Sequence, residues 1–137
     1  MNLEEINNEI EEQIQVTDTA IQFYDKNFEE IVELSLPTII QTKKDAQDIL
    51  TPVNIVVDQI GLKIKMFEIH LKNSEEYKTQ FKTVKDREEQ VKLDLYPIKT
   101  KLYFLKEKRN QLSDIIGFYN SVINVELLIL ESQTKGE

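Results

Sequence analysis

Between Leu3 and Ile31, apolar side chains recur at Leu3, Ile6, Ile10, Ile14, Ile21, Tyr24, Phe28 and Ile31. With Thr17 filling one place, the steps from Ile14 onward are 3, 4, 3, 4, 3. Alternating steps of three and four place successive side chains on one face of an α-helix, in a heptad-like seam. Asn2 followed by Glu5 is an Asn version of the capping box and marks the helix start. A second stripe follows at Val53, Val57, Ile60, Ile64, Phe67 and Leu71. After Leu71 the seam slips and resumes at Tyr77, Phe81, Val84, Val91 and Leu95. The pattern predicts one helix continuing through the slip with a local change of winding, or else a restart near Asn73, which with Glu76 could cap a fresh helix. The last stripe is Ile98, Leu102, Leu105, Arg109, Leu112, Ile116, Tyr119, Ile123, Leu127 and Leu130.

Three prolines punctuate these stripes. Pro37 removes a backbone donor and predicts a kink or restart. Thr51 before Pro52 reads as a cap residue followed by proline at the first helical position, and Pro97 reads as another opening. The expected elements are a helix over 2–36 with a continuation over 38–50, a helix over 52–95 with a possible break near 73, a helix over 97–132, and a frayed tail over 133–137. No strand alternation and no fixed-period repeat accompany them. The fold class is therefore all-α, with one helical domain over 1–137.

If the chain turns at Thr51 and near Tyr96, it makes an elongated antiparallel three-helix bundle with coiled-coil-like seams, its helices broken at Pro37, Pro52 and Pro97. Residues whose numbers sum to roughly 102, and then roughly 193, would face one another. The stretch 62–71 would meet 122–131. If the prolines are hinges instead, the chain is an open rod whose stripes are completed by partner chains, and segment swapping between chains is a further arrangement.

Composition supports helices. Of 137 residues 31% are charged, with three Gly and three Pro, which leaves little turn material. Two zones are apolar on more than one face, 53–71 and 115–130, and such helices are usually covered on more than one side. The net charge of −8 is uneven. Residues 1–34 carry ten acids (Glu4, Glu5, Glu9, Glu11, Glu12, Asp18, Asp25, Glu29, Glu30, Glu33) against Lys26 alone, while 63–109 carries 13 basic and 8 acidic residues. The expected bundle would set the acidic first helix against Lys72, Lys78, Lys82, Lys85, Arg87 and Lys92.

The chain holds no Cys and one His. Disulfides, thiolate ligands and thiol nucleophiles are excluded. His70 lies beside the Phe67 and Leu71 stripe and reads as a boundary residue; Glu68 is at the wrong spacing to make Glu-x-x-His. The glycines are isolated, so no phosphate loop or nucleophile elbow is present, and Gly117 reads as a place of close helix packing. The acidic pairs read as solvated helix faces, and Lys78, Lys82 and Lys85 as partners of the first helix. No enzyme activity, cofactor, metal or small-molecule substrate is expected, and no direct nucleic-acid binding. No apolar run reaches 18 residues, so no membrane span is expected. With no apolar leader at the start, the expected location is the cytoplasm, signal-less secretion aside.

The expected function is that of a non-catalytic protein–protein interaction module: an assembly subunit, adaptor or dedicated chaperone that binds protein partners and possibly forms a homo-oligomer. Its candidate contact residues are Phe118, Val122, Val125, Leu128 and Ile129, with Val56 and Met66. The alternative is an acidic regulator or inhibitor that occupies a basic site on a nucleic-acid-handling protein through Glu4, Glu5, Glu9, Glu11, Glu12, Glu29, Glu30 and Glu33.

Overall fold

The computed structural model describes residues 2–135. The protein is all-α: helix makes up 91% of the described residues, and no strand occurs among them. The order is α1 (Leu3–Tyr24), α2 (Phe28–Val32), α3 (Leu36–Lys72), α4 (Glu75–Gln80) and α5 (Val84–Lys135). The described part of the expected tail, up to Lys135, is helical. Gly136 and Glu137 lie outside the described residues.

Each helix begins at a short polar side chain that accepts a hydrogen bond from the backbone N–H three residues on. Asn2 Oδ1 accepts from Glu5, Asn27 Oδ1 from Glu30, Ser35 Oγ from Thr38, Ser74 Oγ from Tyr77 and Thr83 Oγ1 from Asp86. These bonds satisfy donors that the first turn of a helix leaves without partners. Asn27 and Glu30 complete a reciprocal capping box, the Asn27 N–H donating to the Glu30 carboxylate.

The chain therefore turns at 25–35 and at 73–83, and two expected breaks do not occur. Pro52 lies inside α3 and Pro97 inside α5. The Thr51 hydroxyl does not cap forward. It donates back to the Gln47 carbonyl at 3.0 Å and accepts from the Gln47 amide at 3.1 Å. This is how a threonine is satisfied within a helix. Thr100 likewise donates to the carbonyl of Tyr96, the residue before Pro97. Pro37 stands second in α3, within the first turn, where its missing N–H costs no helical bond. The seam slip after Leu71 is a true restart, capped by Ser74 rather than Asn73. The pairing sums of 102 and 193 fall with the proline corners. Glu9 meets Lys63 and Glu68 meets Lys99, so the stretch 62–71 faces the first part of α5 and not 122–131.

The helices form two compact units. One holds α1 as far as Ile14 together with Asn54–Glu107. Its core is Ile6 and Ile10 of α1, Val57, Ile60 and Ile64 of α3, Tyr77 of α4, and Val91, Leu95, Ile98, Leu102 and Leu105 of α5. Here α1 and α3 meet at Glu9–Lys63, while Asn7 and Glu11 both bind Lys101 of α5. The Tyr77 hydroxyl donates to the Asp94 carboxylate and ties α4 to α5.

The other unit holds Gln15–Val53 and α5 from Lys108 onward. Ile21 and Tyr24, Ile31, Ile39, Ala46 and Leu50 pack with Leu112, Ile116, Tyr119, Val122 and Ile123. Tyr119 is fully buried, and its hydroxyl donates to the Tyr24 carbonyl at 2.9 Å near the end of α1. Burial raises the Tyr119 pKa, and the nearby Tyr24, Glu30 and Asp25 raise it further. The phenol is thus held neutral as a donor. Full burial of a large apolar side chain contributes roughly 1.5–3 kcal/mol, so these stripes dominate stability.

Gly117 does not mediate close packing: a Cβ there would meet nothing within 4 Å. Gly117→Ala should therefore raise unfolding stability by about 1 kcal/mol, the helix-propensity difference alone. Pro52→Ala should also raise it, by up to about 3 kcal/mol, since it restores a helical donor and removes the ring clash. Urea titrations followed by circular dichroism check both. A loss of stability in Pro52→Ala would show that no helix runs through that position.

Candidate interaction surface

The last turns of α5 read Val125-Glu126-Leu127-Leu128-Ile129-Leu130. Five of these six side chains are apolar, and all five are exposed, Leu128 at 64%. Within this unit Lys43 Nζ binds Asn120 Oδ1 at 2.9 Å. Leu127 and Leu130 continue the stripe of α5 yet face solvent. Consecutive apolar positions point all round a helix, so no single face of this end is polar.

The proposed contact residues divide. Phe118, Val125, Leu128 and Ile129 are exposed on α5. Val122 is 2% exposed and belongs to the core, because it packs beside Tyr119 and Ile123 on the side covered by the other helices. Met66 is exposed and Val56 half-buried, both on the part of α3 that belongs to the other compact unit. The α5 end therefore stands as a candidate surface by itself. Residues 127 and 130 were missed as contact residues because their stripe marks them as core.

The acidic helix is engaged with lysines other than those expected. Glu9 pairs with Lys63 at 2.9 Å, Glu11 with Lys101 at 2.6 Å and Asp18 with Lys108 at 2.9 Å. Lys78, Lys82 and Lys85 are exposed and pair with no carboxylate among the described residues. The reason is topological: those lysines lie in and beside the second turn, 73–83, not along the helix that faces α1. Glu5 and Glu30 serve caps. Glu4, Glu12, Glu29 and Glu33 are exposed and form no ion pair among the described residues. These surface pairs each contribute only about 0–1 kcal/mol and serve orientation more than stability.

His70 is exposed, its ring 6.4 Å from that of Phe67. No group of three or more His, Asp or Glu residues that could hold a metal occurs among the described residues. A shallow cleft between α3 and α5 is lined by Gly61, Ile64, Lys65, Glu68, Lys99, Leu102, Tyr103 and Lys106. Within it Lys99 pairs with Glu68 at 3.5 Å. By length and composition alone, α5 is apolar enough to cross a membrane when a few charges are tolerated within the span. Of that apolar stretch 28% is buried within the protein, Ile116, Tyr119, Val122 and Ile123 among it.

No family model, curated protein or solved structure matches the chain.

The Lys101 ammonium donates to the Glu11 carboxylate and attracts it, holding its pKa below the ordinary 4.5, with a smaller contribution from the Asn7 amide. A carboxyl with a depressed folded pKa stabilises the fold above its unfolded value and loses that contribution as pH falls through the folded one. Lys101→Met should move the Glu11 titration up toward 4.5, as followed by NMR of its carboxyl carbon. The variant should also lose less stability on acidification than the parent. An unmoved Glu11 titration would show that the pair does not form in solution.

Proposed function

We propose that this protein is a non-catalytic helical interaction module, an assembly subunit, adaptor or dedicated chaperone acting in the cytoplasm, built as an elongated antiparallel three-helix bundle. One observation carries the reading: the exposed apolar end of α5 at Phe118, Val125, Leu128 and Ile129, extended by Leu127 and Leu130. A contiguous apolar surface of this kind favours a protein partner. The bundle is supported by pairings that run in the same direction between α1 and α5 within one compact unit, Asp18 with Lys108 and Tyr24 with Tyr119.

A second reading is the acidic regulator. It is favoured by the exposed carboxylates of Glu4, Glu12, Glu29 and Glu33, which pair with no cation among the described residues. Deleting 1–34 would not test it cleanly, because Ile6, Ile10 and Ile31 are core residues. Neutralising those four residues to Gln leaves the core intact.

In affinity capture from cell extract, Leu128→Glu should lose a partner that the parent chain retains, with helicity unchanged because the site is exposed. The four-Gln variant should keep that partner. Loss of helicity in Leu128→Glu would make the surface core and end this proposal. Loss of the partner in the four-Gln variant alone would favour the regulator.

A further inference from the structure

We propose that the protein pairs with a second copy of itself through the outward face of α3. Four apolar side chains there are exposed: Ile55 at 53%, Leu62 at 61%, Met66 at 60% and Ile69 at 61%. Their spacing is 7, 4 and 3 residues, so they share one face over about 21 Å of helix. Val57, Ile60 and Ile64 occupy the opposite face and are buried within the same compact unit. The core therefore makes no use of this outward heptad seam. Gln59 fills its one missing place.

The edges of the seam specify the occupant. Asp58 and Lys65 lie on the same edge, seven residues apart, both exposed and neither in an ion pair among the described residues. The other edge carries Lys63, whose ammonium is already held by Glu9 at 2.9 Å. In an antiparallel helix pair, like edges meet. Two copies placed so that Ile55 of one lies opposite Met66 of the other bring each Asp58 against Lys65 of the second copy, twice by symmetry. The face is self-complementary in both charge and apolar content, as a two-fold interface requires. A parallel pairing would instead direct Asp58 to the occupied Lys63 and set Lys65 beside His70 of the second copy. Charge pairs of this kind fix register and orientation more than affinity.

Sedimentation equilibrium of the full chain over a wide concentration range tests this. The expected result is a reversible dimer. Leu62→Glu should abolish it with helicity unchanged. Asp58→Lys and Lys65→Asp should each weaken it about threefold or more, two pairs being lost by symmetry, and Asp58→Lys with Lys65→Asp in one chain should restore it. Leu128→Glu, on the α5 surface, should leave the dimer intact. A monomer at every concentration, a Leu62→Glu variant that dimerises like the parent or loses its helicity, or a double variant that stays weak would each overturn the proposal.

Discussion

Five polar side chains, Asn2, Asn27, Ser35, Ser74 and Thr83, accept hydrogen bonds from backbone amides three residues on, and their positions decide which helices meet. A long helix with one apolar stripe gains nothing by itself; it must bury the stripe against another. Where the chain can turn is therefore the governing constraint. A cap satisfies an amide that would otherwise be left bare, and a missing cap costs about 1 kcal/mol. That is small beside core burial, yet it separates alternatives whose burial is similar. With turns at 25–35 and 73–83, Glu9 reaches Lys63 and Glu68 reaches Lys99. With turns at the prolines, neither pair could form.

The stripes themselves were legible. Ile6, Ile10, Thr17, Ile21, Tyr24 and Ile31 are buried as their spacing requires, and so are Val53, Val57, Ile60 and Ile64, and the α5 run from Ile98 to Ile123 apart from Arg109. The periodicity of buried positions depends only on helix geometry, which a sequence states directly. The turns were not legible, because two signals competed. Thr51-Pro52 has the form of a cap followed by a first helical residue, but Thr51 bonds backward to Gln47. Asn27-Phe28-Glu29-Glu30 has the form of a capping box and acts as one. The same rule that marks Asn2 and Glu5 marks Asn27 and Glu30. No break is expected there from the stripe, because the apolar seam runs on unbroken through Tyr24, Phe28 and Ile31. A stripe can cross a turn when the residues on both sides pack on one core, as Tyr24 and Ile31 do.

The candidate surfaces were legible only in part, for a related reason. Exposure of Val125, Leu128 and Ile129 follows from their lying off the stripe, which spacing reveals. Exposure of Leu127 and Leu130 is not readable from spacing, since both continue the stripe that is buried as far as Ile123. Burial of Val122 depends on how far the other helices wrap around α5 beside Tyr119. Charge pairing shows the same division. That acids of α1 would meet lysines was readable from the −9 segment, but which lysines depended on register. Lys63, Lys101 and Lys108 are selected by geometry, while Lys78, Lys82 and Lys85 are left in solvent.

Exposed apolar residues are ordinary when scattered, because a small protein lacks enough polar surface to cover itself. Phe23 and Leu93 need no other account. Ile55, Leu62, Met66 and Ile69 differ in being periodic. Scatter has no reason to adopt a spacing of 7, 4 and 3 on the face opposite a filled core, nor to have unpaired charges of opposite sign along one edge. The end of α5 differs in another way. There the apolar positions are consecutive and surround the helix, so a single helix laid against one face would leave the others wet. The α3 face suits a flat, two-fold helix pair. The α5 end suits a partner that encloses it. Two distinct geometries of exposure on one chain are what an assembly component needs if self-pairing and partner capture are to proceed without competing for the same surface.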